Sequence, residues 1–244
     1  MQPVAPGVIL LDKPVGPTSF KMVQLVRRAL QIKKVGHTGT LDPFASGLLV
    51  ICSGRAATRT IPLLMEGEKE YTATLQLGIE TDSQDLTGTV IRRSPVPDLS
   101  SARIDECLRA FVGEQLQQPS SFSALKFQGK PLYYYARKGI AVEKGPRPFF
   151  IREIEALGWQ EDQLRIRVVC GKGTYIRALA ADIGASLGCG AHLIALRRLR
   201  NGPFSVADAV AGDALADDRQ AACELLLKNM LPVDDLIAGC RKNV

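Results

Sequence analysis

Residues Gly36 to Leu49 read G-H-T-G-T-L-D-P-F-A-S-G-L-L. The first part is punctuated by glycine and threonine up to Pro43, and from Gly47 to Cys52 the chain is continuously apolar, as in a central strand. A loop therefore leads directly into the core, and it carries one carboxylate, Asp42. Pro43 restrains the residue before it to an extended backbone, and a carboxylate held rigidly at a sheet edge is a natural nucleophile or acid/base. Asp-Pro alone is also a common turn signal. The pair by itself favours a turn, and only its surroundings can raise it to a catalytic group.

Upstream, Gly7 to Leu11 reads as a buried strand. Pro17-Thr18-Ser19 then offers a helix cap before Phe20, Val23, Val26 and Leu30 at helical spacing, with Arg27, Arg28, Lys33 and Lys34 on or just beyond that helix. Downstream, Tyr71, Ala73, Leu75 and Leu77 alternate with polar residues as a half-buried strand closing in the polar turn Thr81 to Gly88. Ser101 is placed to cap a helix carrying Ile104, Leu108 and Phe111 and ended by Gly113. From Gln115 to Arg152 periodicity is lost, and Lys126, Lys130, Arg137, Lys138 and Lys144 interleave with Phe122, Phe127 and Tyr133 to Tyr135, which predicts an inserted, exposed arm. Leu164, Ile166 and Val168 alternate with Arg165 and Arg167 as a further strand. A helix follows from Thr174 to Gly188, then the apolar and basic segment Ala191 to Arg200, and beyond Gly202 an Ala/Asp-rich stretch that reads as helical. Strands and helices mix without a regular βαβ repeat, so the expected class is α+β around a mixed sheet flanked by helices.

A chain of 244 residues with 46% hydrophobic content can bury one large core. The net charge of +6 and an isoelectric point near 9.1 tilt the partner toward a polyanion. Six cysteines are scattered without a C-x-x-C pair, which argues against a disulfide framework and a zinc site and suits a reducing, cytosolic setting. With only His37 and His192 and no carboxylates at ligand spacing, no metal centre is expected. No stretch approaches the roughly 20 apolar residues of a membrane span, and no signal segment opens the chain.

The Gly36–Leu49 segment resembles the catalytic motif of the TruB family of pseudouridine synthases, and it has company. Leu10 to Ser19, L-L-D-K-P-V-G-P-T-S, resembles the family's N-terminal motif. Lys69-Glu70-Tyr71 resembles its K-x-Y, followed by the T-D-S-x-D-x-x-G loop at Thr81 to Gly88. Ser123 to Lys126, Tyr133 and Ala136-Arg137 resemble its RNA-gripping insertion. Gly173 to Arg177 and Gly190 to Arg198 resemble its last two motifs. The matches follow the family's order from about Gly7 to Arg200.

The resemblance implies a pseudouridine-synthase-like, mainly antiparallel mixed sheet. It implies isomerisation of uridine to pseudouridine in the T-arm loop of tRNA, at position 55 by family analogy, reached by base flipping and without a cofactor. Asp42 would be the nucleophile. Arg177 would pair with it and keep it ionised. Tyr71 would stack on the flipped uracil and is a candidate general base, Tyr175 and Leu196 would line the pocket, and His37 would contact the RNA. Lys13, Lys126, Lys130 and Arg137 join the RNA-binding set, phosphates being drawn to cations and unpaired bases to exposed rings. Plainer roles stand beside these: Tyr71 suits an ordinary core tyrosine, Lys13 suits a brace between the N-terminal motif and the catalytic loop, and His192 is read as structural.

The expected organisation is a catalytic domain over 1–200 with its arm at about 115–152, then a helical segment over 201–244. That segment is too short for the PUA module that family members commonly carry. A monomer is the default. The competing function is a tRNA-binding folding helper without catalysis, which would keep the basic arm and dispense with Asp42. A glycosidic hydrolase would need a second catalytic carboxylate beside the first.

Overall fold

A computed structural model describes residues 4–118, 125–136, 138–140, 142 and 144–233. The chain forms two compact units: the first takes the residues up to Tyr71 and those from Arg197 onward, and the second takes Thr72–Leu196.

The first unit opens with strand β1 (Gly7–Lys13), helix α1 (Ser19–Leu30), strands β2 (Val35–His37) and β3 (Ser46–Ser53), and the short helices α2 (Gly54–Arg59) and α3 (Ile61–Met65). Thr18 caps α1 by accepting from Lys21 N at 3.0 Å. The helix buries Met22, Val23, Val26 and Leu30, but Phe20 is 55% exposed and lies 5.7 Å from the Arg27 guanidinium. The inward position expected of Phe20 is taken instead by Ser19, whose hydroxyl serves the Asp42 loop. β3 is buried along nearly its whole length, as the apolar run predicts, because β1 and β2 pair antiparallel with it on either side.

In the second unit, β4 (Lys69–Leu77) continues from the first and shows the expected alternation, with Ala73, Leu75 and Leu77 buried. A small hairpin, β5 (Ile79–Thr81) with β6 (Val90–Arg93), frames the Thr81–Gly88 turn. Helix α4 (Ser101–Arg109) is capped by Ser100, one residue earlier than expected, through Arg103 N. Next come β7 (Gly113–Gln117), the two-residue strands β8 (Lys126–Phe127) and β9 (Lys130–Pro131), and helix α5 (Leu132–Ala136). The long hairpin β10 (Arg147–Gln160) with β11 (Gln163–Cys170) completes the sheet order β4-β11-β10-β7. The arm is shorter than expected: Gly113–Gln117 pairs with residues 147–151, because Phe149 and Ile151 alternate inward, and only the chain between them lies outside the ladder. Helix α6 (Ile176–Leu187) ends at Gly188, whose φ of 89° makes the left-handed stop.

Strand β12 (Ala191–Asn201) returns the chain to the first unit, where Arg197 and Arg198 pair in parallel with Ser46 and Gly47. The remainder is not the simple helical segment expected. β13 (Phe204–Ser205) pairs β12, β14 (Val210–Ala211) pairs β1 in parallel, helix α7 (Arg219–Lys228) follows, and β15 (Leu231–Pro232) pairs the start of β1. These two-residue strands are too short for any periodicity, and strand edges left open on β1 and β12 recruit them. Antiparallel ladders with these parallel exceptions make the mixed sheet of an α+β fold. No helix among the described residues is long and apolar enough to cross a membrane.

Candidate functional site

The loop from β2 to β3 is fixed from several directions. Thr38 N donates to Val50 O at 3.1 Å, continuing the β2/β3 ladder, and Ala45 N donates to Asp42 O at 3.1 Å, closing a turn on Asp42 itself. Ser19 Oγ bridges the residue before Asp42, accepting from Leu41 N at 2.8 Å and donating to Leu41 O at 2.9 Å. Gly16 N donates to Pro43 O at 2.8 Å. Asn201 Nδ2 donates to Thr38 Oγ1 at 2.8 Å, and Arg198 donates from Nε to Leu48 O at 2.6 Å and from Nη2 to Gly39 O at 3.2 Å. Leu41, Phe44 and Ala45 anchor the loop in the core while Asp42 stays half-buried. Buried polar groups satisfied in this way hold one geometry, because each alternative leaves a donor or acceptor unpaired.

Lys13 is 0% exposed, and its ammonium donates to Pro14 O at 2.7 Å, Pro17 O at 2.9 Å and Pro43 O at 3.4 Å. It ties the N-terminal motif to the Asp42 loop from within and does not lie on a surface open to RNA. Burial lowers its pKa to about 8, with the Asp42 charge drawing it back up and Arg198 pushing it further down. His37 is half-buried, and its Nδ1 accepts from Gly39 N at 3.2 Å. Burial and then the Arg198 charge lower its pKa, so the ring is neutral at physiological pH. A contact of His37 with RNA would therefore be one of shape or hydrogen bonding.

Tyr71, the last residue of the first unit, is buried on the inward face of β4. The second unit holds Tyr175, Arg177 and Leu196. Arg177, in the first turn of α6, is buried; its Nη1 lies 3.2 Å from Asp85 Oδ2 and 3.1 Å from Ser83 O. Asp85 is equally enclosed, its Oδ1 accepting from Ser83 Oγ at 2.7 Å, Thr87 N at 2.9 Å and Thr87 Oγ1 at 2.6 Å. A buried ion pair persists only when its remaining hydrogen-bonding capacity is used, and the Thr81–Gly88 turn supplies those donors. Asp85 is thus a functional candidate to which sequence reasoning gave no role; the signal was the T-D-S-x-D pattern, whose polar side chains fold back on the carboxylate. Tyr175 is half-buried and clipped by its main chain, with its N donating to Gln117 Oε1 at 2.9 Å and its O accepting from Gln117 Nε2 at 3.2 Å. Leu196 is buried in β12. His192 Nδ1 is 2.9 Å from Ile79 O, the structural place expected of it.

In the arm, Lys126 and Lys130 are exposed, and Arg137 lies outside the described residues. Lys130 Nζ and Lys138 Nζ lie 4.3 and 4.6 Å from the centre of the Tyr134 ring, and Lys144 Nζ lies 4.9 Å from that of Phe127. Tyr135 packs edge-on against both rings. Cations gathered around half-buried rings offer both charge and stacking faces to a nucleic acid.

The family described as TruB family pseudouridylate synthase (N terminal domain) matches residues 27–176, and the one described as tRNA pseudouridylate synthase B C-terminal domain matches residues 177–238. A tRNA pseudouridine synthase B of Desulfotalea psychrophila is 54% identical over 236 residues, covering 94% of this chain and 95% of the relative. One of Aromatoleum aromaticum is 49% identical, covering 96% of this chain and 74% of the relative. Among solved structures, a chain from a Cbf5-Nop10-Gar1 complex superposes with a TM-score of 0.70 at 30% identity, and one from an H/ACA RNP bound to a substrate RNA containing 2'-deoxyuridine with 0.67 at 28% identity. The chain covers 96% of itself in both superpositions and spans 62% and 61% of the solved chains.

Proposed function

This chain belongs to the TruB family of pseudouridylate synthases, and on that premise we propose that it isomerises uridine to pseudouridine in the T-arm loop of tRNA, at position 55, with Asp42 as the nucleophile. The coarse activity, conversion of a tRNA uridine to pseudouridine, is that of its close relatives. The observation that supports Asp42 is its half-buried place in a loop whose neighbours on both sides are tied down, Leu41 by buried hydrogen bonds to Ser19 Oγ and Pro43 through its carbonyl, which accepts from Gly16 N and Lys13 Nζ. Chemistry at one atom needs such fixity, since reacting groups must be aligned before the barrier is crossed.

The reaction breaks the bond from ribose C1' to uracil N1 and forms one from C1' to C5. N1 gains a proton and C5 loses one, so no electrons are exchanged. Asp42 attacks either C1' or C6 to labilise the first bond. The detached base must then turn and rejoin without escaping, which calls for apolar and aromatic walls; Tyr71, Tyr175 and Leu196 supply them, and Tyr71 takes the C5 proton. Arg177 brings a fixed positive charge that Asp85 orients. His37 meets the RNA as a neutral ring, and the basic arm, with Lys126, Lys130 and Arg137, holds the phosphates. Lys13 serves by bracing the loop.

The test is a T-arm stem-loop carrying tritium at uracil C5. The wild-type chain releases tritium while the base stays attached, and Asp42→Asn abolishes release without loss of binding. Tritium release by Asp42→Asn at the wild-type rate removes the nucleophile. Binding without release by the wild-type chain favours a folding helper, and free uracil a hydrolase.

A further inference from the structure

Arg198 is only 1% exposed, yet no carboxylate lies within ion-pair distance of it among the described residues. A buried, unpaired cation is costly, and a neutral side chain could fill the same volume. What the guanidinium does there is particular to its shape. Nε reaches Leu48 O, past Asp42 in the chain, while Nη2 reaches Gly39 O, before it. One rigid fork thus joins the two limbs of the loop, which a flexible ammonium or a single amide cannot do with the same fixity. The backbone of Arg198 holds the same stretch: it runs beside Gly47, where an added Cβ would stand 2.3 Å from Arg198 O.

We propose that Arg198 is a positioning residue for the isomerisation, setting the place of Asp42 through its fork on Gly39 and Leu48. The inference rests on the reading of Asp42 as nucleophile. Gly39 is held from both sides, its O accepting from Arg198 and its N donating to His37 Nδ1. A protonated imidazole would carry a hydrogen on Nδ1 and oppose that second bond. The Arg198 charge, which with burial lowers the His37 pKa, preserves it. The charged group acting on His37 is Arg198 of β12, and those acting on Lys13 are Asp42 of the loop and Arg198 again.

Two substitutions separate charge from shape. Arg198→Gln removes the charge, whereas Arg198→Lys keeps it and loses the fork. Three quantities are measured on the full chain beside Asp42→Asn: single-turnover tritium release with saturating enzyme, T-arm affinity, and the His37 pKa from its ring-proton resonances. In both variants the rate falls roughly 100-fold, as a misplaced reacting group does, with affinity held within about threefold. The His37 pKa rises in Arg198→Gln and stays depressed in Arg198→Lys. The proposal is overturned if folded Arg198→Gln reacts within about threefold of wild type, or if its His37 pKa does not move. If Arg198→Gln does not fold, Arg198→Lys decides by the same rate criterion, and loss of fold in both reduces Arg198 to a structural residue. An Asp42→Asn chain of normal rate removes the nucleophile whatever Arg198 does. An inactive Asp42→Asn beside Arg198 variants of normal rate removes this inference alone.

Discussion

The Asp42 loop and the basic arm are both irregular, glycine-containing segments, and they are built in opposite ways. The loop is tied by buried side chains from β1, α1 and β12, with Lys13, Ser19 and Arg198 reaching main-chain groups and Asn201 reaching the Thr38 hydroxyl. The arm is held by exposed or half-buried contacts within the segment itself: the two-residue pairing of β8 with β9, cations over rings, and Tyr135 Oη donating to Phe127 O. Buried polar contacts are costly to break and so fix position, whereas exposed ones cost little and leave charge available to a partner. One segment is built for placing an atom, the other for meeting a polyanion.

A pair of glycines puts that contrast to the strongest test. Gly47 in β3 has φ +100° and Gly129 in the arm has φ +81°, conformations that L side chains rarely adopt. A Cβ on Gly47 would stand 2.3 Å from Arg198 O and 2.7 Å from Arg198 N, main-chain atoms that cannot swing aside, whereas nothing lies within 4 Å at Gly129. Gly47→Ala should cost roughly 4 kcal/mol or more, and Gly129→Ala only the backbone strain of about 1–2 kcal/mol or less. Denaturant midpoints measure both. Equal losses would erase the distinction between the segments.

The same contrast explains what could be read in advance. The loop, its lead into β3, the alternation in β4 and β11 and the stop at Gly188 each follow from contiguous residues, so sequence reasoning reached them. The clamps did not, because their partners are remote: Ser19 lies 22 residues from Leu41, Arg198 lies 150 from Leu48, and Asn201 lies 163 from Thr38. No local pattern distinguishes Arg198 from Arg197 beside it, which instead makes a two-pronged pair with Asp12 at 2.9 and 2.6 Å. Phe20 illustrates the reverse error, since helical spacing marked it as core while the loop's need for the Ser19 hydroxyl turned it outward. The strands after Gly202 exist only because β1 and β12 offer them edges.

Lys13 offers a smaller and pH-dependent way to loosen the clamped side. Its pKa falls from 10.5 to about 8 on folding, so between those values the folded chain has released a proton that the unfolded chain still holds. Stability from this group therefore rises with pH through that window, by up to about 3 kcal/mol, and falls back as pH drops through 8. Activity should move the other way, because the neutral amine has fewer hydrogens for three carbonyls and no charge beside Asp42. Comparing wild type with Lys13→Met in denaturant midpoints and tritium release from pH 7.5 to pH 10 reads both trends, in the difference between the two proteins. A stability difference that does not change with pH would mean that Lys13 keeps an ordinary pKa.

The arm should show the least effect on the fold and the clearest effect of salt. Lys126 and Lys130 are exposed, and the contacts of Lys130 are with the ring and hydroxyl of nearby Tyr134, so replacing both lysines together with Arg137 by alanine should leave stability to denaturant unchanged within about 0.5 kcal/mol. If all three meet phosphates, the slope of log affinity against log salt should flatten by about 3, with affinity for the T-arm stem-loop falling in proportion at low salt. Single-turnover tritium release at saturating enzyme should stay near wild type, because the bound uridine still meets an intact Asp42 loop. A triple variant with the wild-type salt slope would show that the arm's cations serve its own rings and not RNA. A saturated rate that fell with the affinity would show that the grip also sets the position of the reacting base, and the division between a placing segment and a gripping one would fail.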